Sequence, residues 1–324
     1  MIMSEKTTGR KQAAIQWLKD NNTYLILLVM IIVSAVISNN FLTAKNLGNL
    51  VKQNSIKGML AMGMLLIIMT GDIDLSVGSL TGAANVLAAV ALTDWSMGAG
   101  TAIFLAIGVS AAMGIVNGFF IVYRKLPAFI VTLAMMTIAR GFAYLWSGGR
   151  PISVSDPVLT GIKQSEFLGL PPYVWFFVII FAIMFAALRY VPYGRIIKAI
   201  GSNEQAVRLA GIRVNRYRFS IYVITGLLCG LAGVCSVGRI GSASPLLGEG
   251  YEMDAISMVV IGGASLSGGK GDTLKTLAGI FIIGMIGNIM NLMNVSAYWQ
   301  HVIQGVIILA AIILQVQTGK KKDR

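Results

Sequence analysis

The dominant pattern along the chain is a series of long apolar runs separated by short polar stretches. A run of about 20 residues is long enough to cross a hydrocarbon core of about 30 Å as a helix. The apolar positions predict ten helices, near residues 22–38, 55–70, 76–93, 98–122, 128–147, 172–190, 217–238, 253–265, 273–293 and 299–316. The sequence therefore predicts an all-α, polytopic integral membrane protein.

The polar segments divide the chain into one membrane domain and two basic tails. Residues 1–21 and 317–324 are the tails, and residues 22–316 are the membrane domain. In a ten-helix plan, 19 of the 26 lysines and arginines fall on the side of both tails. The positive-inside rule assigns that side to the cytoplasm. We therefore expect a multi-pass protein of the cytoplasmic (inner) membrane with both termini cytoplasmic.

Composition agrees with this picture and excludes a nucleic-acid-binding domain. The chain is 56% hydrophobic and only 12% charged, against about 25% charged residues in soluble domains. A net charge of +13 would by itself suit a nucleic-acid partner, but the basic residues sort by loop instead of forming a stripe. Cys229 and Cys235 lie in one apolar run and are expected to be small core residues, so no metal site or cofactor is predicted.

Two predicted spans are short and end in similar glycine-containing breaks. Gly71–Gly78 and Gly262–Gly269 both follow the pattern G-x-x-x-L-S-x-G, 191 residues apart. Paired, interrupted segments in two halves of a membrane protein point to a transport pathway. We therefore predict two pseudo-repeated halves with short broken helices, with chance similarity between two small-residue breaks as the alternative.

Polar residues in or beside the apolar runs are candidates for that pathway. A carboxylate or guanidinium at membrane depth is costly and faces protein or water. Asp72 and Asp74 would lie on the pathway, or would cap a broken helix or form a plain turn. Arg140 needs a partner, for which Asp72, Asp74 or a helix C-terminus would serve, and the asparagines would also suit interhelical bonds. The full candidate set is Asp72, Asp74, Ser76, Gly78, Asn117, Arg140, Ser265, Ser267 and Asn288.

Catalytic chemistry is not indicated. The segment Ser265–Gly271 superficially resembles a phosphate-binding loop, but Ala264 stands where the first glycine would be. Gly271, where the motif needs Ser or Thr, follows Lys270, and no strand pattern precedes it. We find no set of nucleophile, base and orienting residue, so the chain is not expected to be an enzyme.

The basic segment 191–216 has the pattern of a docking site for a soluble partner. Glu204 and Arg208 form an i,i+4 acid–base pair, and Ser202 or Asn203 would cap a short exposed helix. A solvated positive-inside loop is the alternative. The candidate residues are Gly194, Arg195, Gly201, Asn203, Glu204, Ala206, Arg208, Leu209 and Gly211.

Several of these segments together resemble the permeases of monosaccharide ABC importers, the ribose-type family. The resemblance rests on residues 199–212, 71–79, 127–136, 250–256 and 268–271, which occur in family order over nearly the whole chain. The family often has a second glycine before Ile73, where this chain has Asp72. For that reason the resemblance gives Asp72 no sugar-binding role.

The resemblance implies a ten-helix permease in the lipid bilayer that pairs with a second permease subunit, most simply as a homodimer. It implies a cytoplasmic ABC ATPase docked on the loop with Glu204 and Arg208, and a sugar-binding protein outside the membrane. Outer-loop Arg150, Lys163 and Arg239 are expected to contact that binding protein. A monosaccharide would cross by alternating access driven by ATP. The alternatives are a branched-chain amino-acid ABC permease of the same plan and an ion-coupled secondary transporter.

Overall fold

The computed structural model describes residues 21–296, 298–300, 302–303, 305–306 and 309. These residues are mostly helical. The helices are α1 (Asn22–Ile37), α2 (Ala44–Met69), α3 (Val77–Thr93), α4 (Ala99–Gly118), α5 (Ala128–Ser147), α6 (Pro157–Gln164), α7 (Pro172–Arg189), α8 (Pro192–Ser202), α9 (Glu204–Leu209), α10 (Val214–Ile240), α11 (Tyr251–Ile261) and α12 (Thr273–Leu292). A π-helical turn, Phe119–Tyr123, extends α4, and the strands β1 (Ile152–Ser153) and β2 (Ser242–Ala243) pair antiparallel.

Local sequence explains where several helices begin and end. Prolines open α6, α7 and α8, where the missing amide hydrogen has no intrahelical partner to lose. Gly148 and Gly241 follow the ends of α5 and α10 in the left-handed conformation, which glycine adopts without a steric penalty.

Helix α2 is the centre of the bundle and is longer than the apolar run predicts. We predict a helix over 55–70, but it begins eleven residues earlier, at Ala44. The polar residues before position 55 do not form a loop because they face protein. The amides of Asn46 and Asn288 in α12 donate to each other at 2.9 Å, and Asn54 donates to the Leu50 carbonyl. A buried amide with partners is compatible with a helix, and apolar periodicity alone does not reveal it.

Small residues let α10 approach its neighbours closely. A Cβ at Gly226 or Gly230 would press on the backbone of α4, and one at Gly233 would press on the backbone of α3. Close backbone approach through glycine is how helices pack in lipid, where apolar side chains gain little by leaving the solvent. Helix α10 is thereby fixed against both α3 and α4.

The bundle has two distinguishable ends. The first, called here the α8–α9 end, also holds the end of α2 and the start of α1, whose Thr23 hydroxyl donates to the Ile261 carbonyl. The second, called the strand end, holds β1, β2 and α6, which packs against Gly238 near the end of α10. Helices α2 and α10 run between the two ends in opposite directions.

Five described helices are long and apolar enough to cross a membrane: α4 with its π-helical turn, α5, α7, α10 and α12. Helices α1 and α3 are shorter apolar helices. Large apolar side chains lie exposed on α1, α4, α5 and α7, as expected for surfaces that face lipid. The chain is therefore a polytopic membrane protein. The predicted tails and most of the predicted helix 299–316 lie outside the described residues.

Candidate functional site

Both glycine-containing breaks meet the end of α8 at one point. A Cβ at Gly201 would collide with the carbonyl oxygen of Met69, the last residue of α2, and with the amide of Gly269. The Gly269 amide donates to that same Met69 carbonyl at 2.9 Å, and Gly71 lies against the Ser267 backbone. The last turn of α8 thus sits directly on the end of α2 and on the loop after α11. The repeated sequence pattern corresponds to two neighbouring segments in space.

A chain of charged groups connects α9 to the first break. Arg218 in α10 donates to Asp72 at 2.6 Å and to Glu204 at 3.0 Å, and the Tyr222 hydroxyl also donates to Asp72, at 2.9 Å. The side chains of Arg218 and Asp72 are only 18% and 14% exposed. Hydrogen bonds between ionised groups are the strong ones, and burial strengthens them further. Asp72 therefore anchors the break to α10.

Helix α9 is capped and presents an apolar side chain to the outside. The Asn203 side chain accepts from the Ala206 amide, so Asn203 is the N-cap, one of the two residues that sequence proposes. Arg208 donates to Glu204 at 3.0 and 2.5 Å and to Asn215 at 2.8 Å. Leu209 is 90% exposed. An apolar side chain so exposed on a polar, rigidly capped turn suits coverage by a partner.

The other predicted residues of this segment lie in or beside α8 and α9. Gly194 lies against the Leu188 backbone, where a Cβ would not fit, and Gly211 has a positive φ of 78° after α9. Arg195 and Ala206 are exposed. The Tyr193 hydroxyl shares a hydrogen bond of 2.8 Å with Ser220 in α10. Burial raises the pKa of Tyr193.

Asp74 and Ser76 turn the chain into α3. Asp74 is buried and accepts from the Ser76 amide at 2.8 Å and from the Ser76 hydroxyl at 2.6 Å. Asn117 in α4 in turn donates to the Ser76 hydroxyl at 3.0 Å. These three predicted residues therefore form one buried hydrogen-bonded group that links α3 to α4.

Between α10 and α11 the chain re-enters the bundle alongside α3. The Ser244 amide donates to Asn85, and farther along Gly248 meets Gly78 so closely that neither position has room for a Cβ. Arg140 in α5 donates to the carbonyls of Pro245 and, at 2.8 Å, of Leu247. Non-helical backbone at membrane depth needs partners within the protein. The sequence suggests a carboxylate or a helix C-terminus as the partner of Arg140. In the structure its partners are instead two backbone carbonyls of this loop.

The remaining predicted residues are spread over the molecule. Ser265 and Ser267 lie in the loop after α11, where the Ser265 hydroxyl accepts from the Ser267 amide. Asn288 belongs to the amide pair with Asn46. Arg150 and Lys163 are exposed near the strand end, whereas Arg239 lines a cavity between α2, α11 and α12.

Sequence reasoning missed Arg218, Lys57 and Asp254. Arg218 is the central member of the charged chain, and Lys57 pairs with Asp254 at 2.5 Å inside the bundle. Arg218 stands in a basic segment where several arginines look alike, and Asp254 follows a short polar stretch that reads as a loop. Lys57 stands at the third residue of the predicted helix 55–70, and only the true start of α2 at Ala44 places this lysine in the middle of a helix.

Comparison with known proteins matches the chain to permease components of transport systems. A family model described as "Branched-chain amino acid transport system / permease component" matches residues 46–312. The ribose import permease protein RbsC of Escherichia coli K12 is 38% identical over 97% of this chain and 98% of its own length. RbsC of Bacillus subtilis is 39% identical over 90% and 91%, and the L-arabinose transport system permease protein AraH of Escherichia coli is 40% identical over 92% and 90%.

No solved structure matches the chain. The family match covers most of the residues, and these relatives align over nearly their whole lengths. The chain therefore belongs to this permease family, together with its ribose- and arabinose-type members.

Proposed function

We propose that this chain is the permease of an ATP-driven monosaccharide importer and that a separate ATPase moves it through the α8–α9 end. The relatives are named for ribose, L-arabinose and xylose, so a pentose is the expected substrate. The observation that carries the coupling is the charged chain from α9 through Arg218 to Asp72. It joins an exposed helix to a break between two helices of the bundle.

The geometry supports a mechanical role for α8 and α9. A partner that binds Leu209 would move α9. Glu204 would transmit that movement to Arg218 and, through Arg218, to Asp72. Helix α8 would act at the same time on Met69 and on the loop at Gly269, because Gly201 lies against both. Closure of two ATPases would thus displace both breaks together. A partner shifts a conformational equilibrium only through contacts that differ between the states, and these breaks are where such differences would arise.

The helix directions support the predicted topology. Starting with α1 at the α8–α9 end, the helices α1, α2, α3, α4, α5, α7, α10, α11 and α12 alternate in direction between the two ends. Helical residues 298–300 and 302–303 follow α12 and begin a further segment. This arrangement fits ten passes with the α8–α9 end and both termini in the cytoplasm, as the basic residues favour.

The proposed assembly has two further parts. A second copy of the permease would complete the pathway, since the family implies a pair. A sugar-binding protein would dock at the strand end, where Arg150 and Lys163 are exposed. Charged groups at the rim of an interface speed encounter more than they tighten binding, so the docking should weaken in high salt.

The experiment changes Leu209 to Glu and measures both capture of the ATPase and uptake of radiolabelled D-ribose, L-arabinose, D-xylose and L-leucine in cells. Leu209 suits this test because it is 90% exposed, whereas a change at Glu204 would also break the internal contact with Arg218. We expect normal membrane levels of the variant, loss of ATPase capture and loss of sugar uptake.

The matched control is Leu168→Glu, the same change at a leucine that is 77% exposed outside the α8–α9 end. This control should leave ATPase capture unchanged. Full capture by the Leu209 variant would remove the docking proposal. Uptake driven by an ion gradient without any ATPase would overturn the importer, and uptake of L-leucine alone would replace the sugar by an amino acid.

A further inference from the structure

A cavity of about 350 Å³ lies between α2, α11 and α12, within the size range of small-molecule sites. Its polar lining includes Gln53, Lys57, Tyr251, Asp254, Asn291 and Gln300. Lys57 is twelve residues before the end of α2, which corresponds to about 18 Å at the helical rise. The cavity thus extends from the middle of α2 to Arg239, in the last turn of α10 at the strand end.

The inner part of the cavity holds an ion pair at membrane depth. The Lys57 Nζ lies 2.5 Å from an Asp254 carboxylate oxygen and 5.0 Å from the centre of the Tyr251 ring. The Asp254 side chain is only 8% exposed, whereas 34% of Lys57 remains accessible. A buried charge pair within a membrane bundle is costly and is generally associated with transport pathways. Because Lys57 lines the cavity and its ammonium has three N–H donors, it can donate to a ligand as well as to Asp254.

The lining combines hydrogen-bonding groups with apolar groups. Gln53, Asn291 and Gln300 carry amides that both donate and accept, and the Gln300 amide already donates to Asn291 at 2.8 Å. Ile283 and Met258 supply apolar surface. A neutral ring with several hydroxyl groups matches this lining, because each hydroxyl both donates and accepts and the ring carbons present apolar edges.

We propose that this cavity binds the transported monosaccharide inside the permease, with Lys57 and Asp254 as the groups that contact its hydroxyls. The inference rests on the proposed function, since it names the place where the sugar of that importer is held. It also assigns Arg239 to the sugar route and not to the surface that meets a binding protein. The sugar is held through side chains of α2 and α11. These two helices end directly before the breaks Gly71–Gly78 and Gly262–Gly269.

The first test places a cysteine in the cavity. Gly287 lines the cavity, and a Cβ there would meet no atom within 4 Å, so Gly287→Cys fits the structure. Gly98→Cys is the control, because Gly98 is exposed outside the cavity and its Cβ would also meet no atom within 4 Å. The native Cys229 and Cys235 are buried. Each variant is compared before and after treatment with a charged methanethiosulfonate reagent, in cells that contain the whole transporter.

Modification of Gly287→Cys should reduce uptake of the radiolabelled pentose by at least about tenfold, the factor for one lost hydrogen bond to a charged group. Modification of Gly98→Cys should leave uptake unchanged. Unchanged uptake in a Gly287→Cys variant that mass spectrometry shows to be modified would overturn the proposal, and so would failure of the reagent to reach this cysteine. Absence of pentose uptake in the unmodified wild type would instead refute the proposed function.

The second test separates sugar contact from structural pairing. Lys57→Gln should lower uptake by at least about tenfold, whereas Lys52→Gln should not, because Lys52 in the same helix pairs with the exposed Glu166 instead. Lys57→Gln leaves Asp254 as an unpaired buried charge and should therefore also lower the membrane level of the protein. Adding Asp254→Asn removes the second charge and should restore that level without restoring uptake. Recovery of uptake in this double variant would show a purely structural pair and overturn the assignment.

Discussion

Replacement of Arg218 by methionine tests whether the charged chain holds the first break in place. Methionine keeps most of the volume of the side chain and removes its charge. Asp72 then keeps the Tyr222 hydroxyl, and Glu204 keeps Arg208. Breaking a buried ion pair costs about 3–5 kcal/mol, and each hydrogen bond to a charged group contributes about 1.5–3 kcal/mol. Since both carboxylates retain one partner, we expect a loss of about 3 kcal/mol of unfolding free energy.

The assay is unfolding of the purified full chain in detergent, combined with a double-mutant cycle. Asp72→Asn alone and together with Arg218→Met should give a coupling free energy of about 1.5 kcal/mol or more, as expected for residues in one network. Arg216→Met is the control, because Arg216 is exposed on the same helix and surface changes stay within about 0.5 kcal/mol.

The same variant separates docking from coupling. Leu209 is untouched in Arg218→Met, so the ATPase should still be captured while sugar uptake falls. A coupling free energy below about 0.5 kcal/mol, or full uptake in Arg218→Met, would refute the reasoning that Arg218 links α9 to the break at Asp72.

Three further predictions concern positions with little tolerance. Gly201→Ala should abolish uptake in cells while the protein still reaches the membrane, because a Cβ there collides with the Met69 carbonyl; normal uptake would contradict the tight contact. Arg140→Gln should reduce protein levels and uptake, since Arg140 holds the carbonyls of Pro245 and Leu247; an unchanged thermal unfolding temperature would count against it. Asn46→Leu should lower the unfolding free energy by about 1–3 kcal/mol by leaving the Asn288 amide without its partner, and adding Asn288→Leu should recover part of that loss.

Much of the helical plan is readable from the sequence because lipid imposes a strong length requirement. The helix predicted at 128–147 has these bounds in the structure, and those predicted at 76–93 and 172–190 differ by one residue. The helices predicted at 217–238 and 253–265 differ by two to four residues at each end. Helix α2 differs most, since its first turns carry polar residues whose partners come from α12. Such partners are more than 200 residues away, and no local pattern reveals them.

The candidate site is readable only in part. The capped helix α9 follows from Asn203, Glu204 and Arg208 because these contacts are local in sequence. The partners of Asp72 and Arg140 are not predictable in this way. Asp72 pairs with an arginine 146 residues away. Arg140 donates to backbone carbonyls, and because every residue has a carbonyl, the sequence does not show which ones it will bind.

The contact between Arg140 and the re-entrant loop has a consequence for how the protein is made. Arginine in the middle of an inserting helix costs about 2.5–3.5 kcal/mol, and its carbonyl partners belong to residues 245 and 247, which are synthesised some hundred residues later. Helix α5 must therefore enter the bilayer before its guanidinium has a partner. Helix α11, with eleven residues, is too short to span on its own, and the non-helical segment before it, which includes Pro245 and Leu247, completes this pass. Biogenesis of the bundle thus includes a docking step inside the membrane, in which the carbonyls of Pro245 and Leu247 become the partners of Arg140.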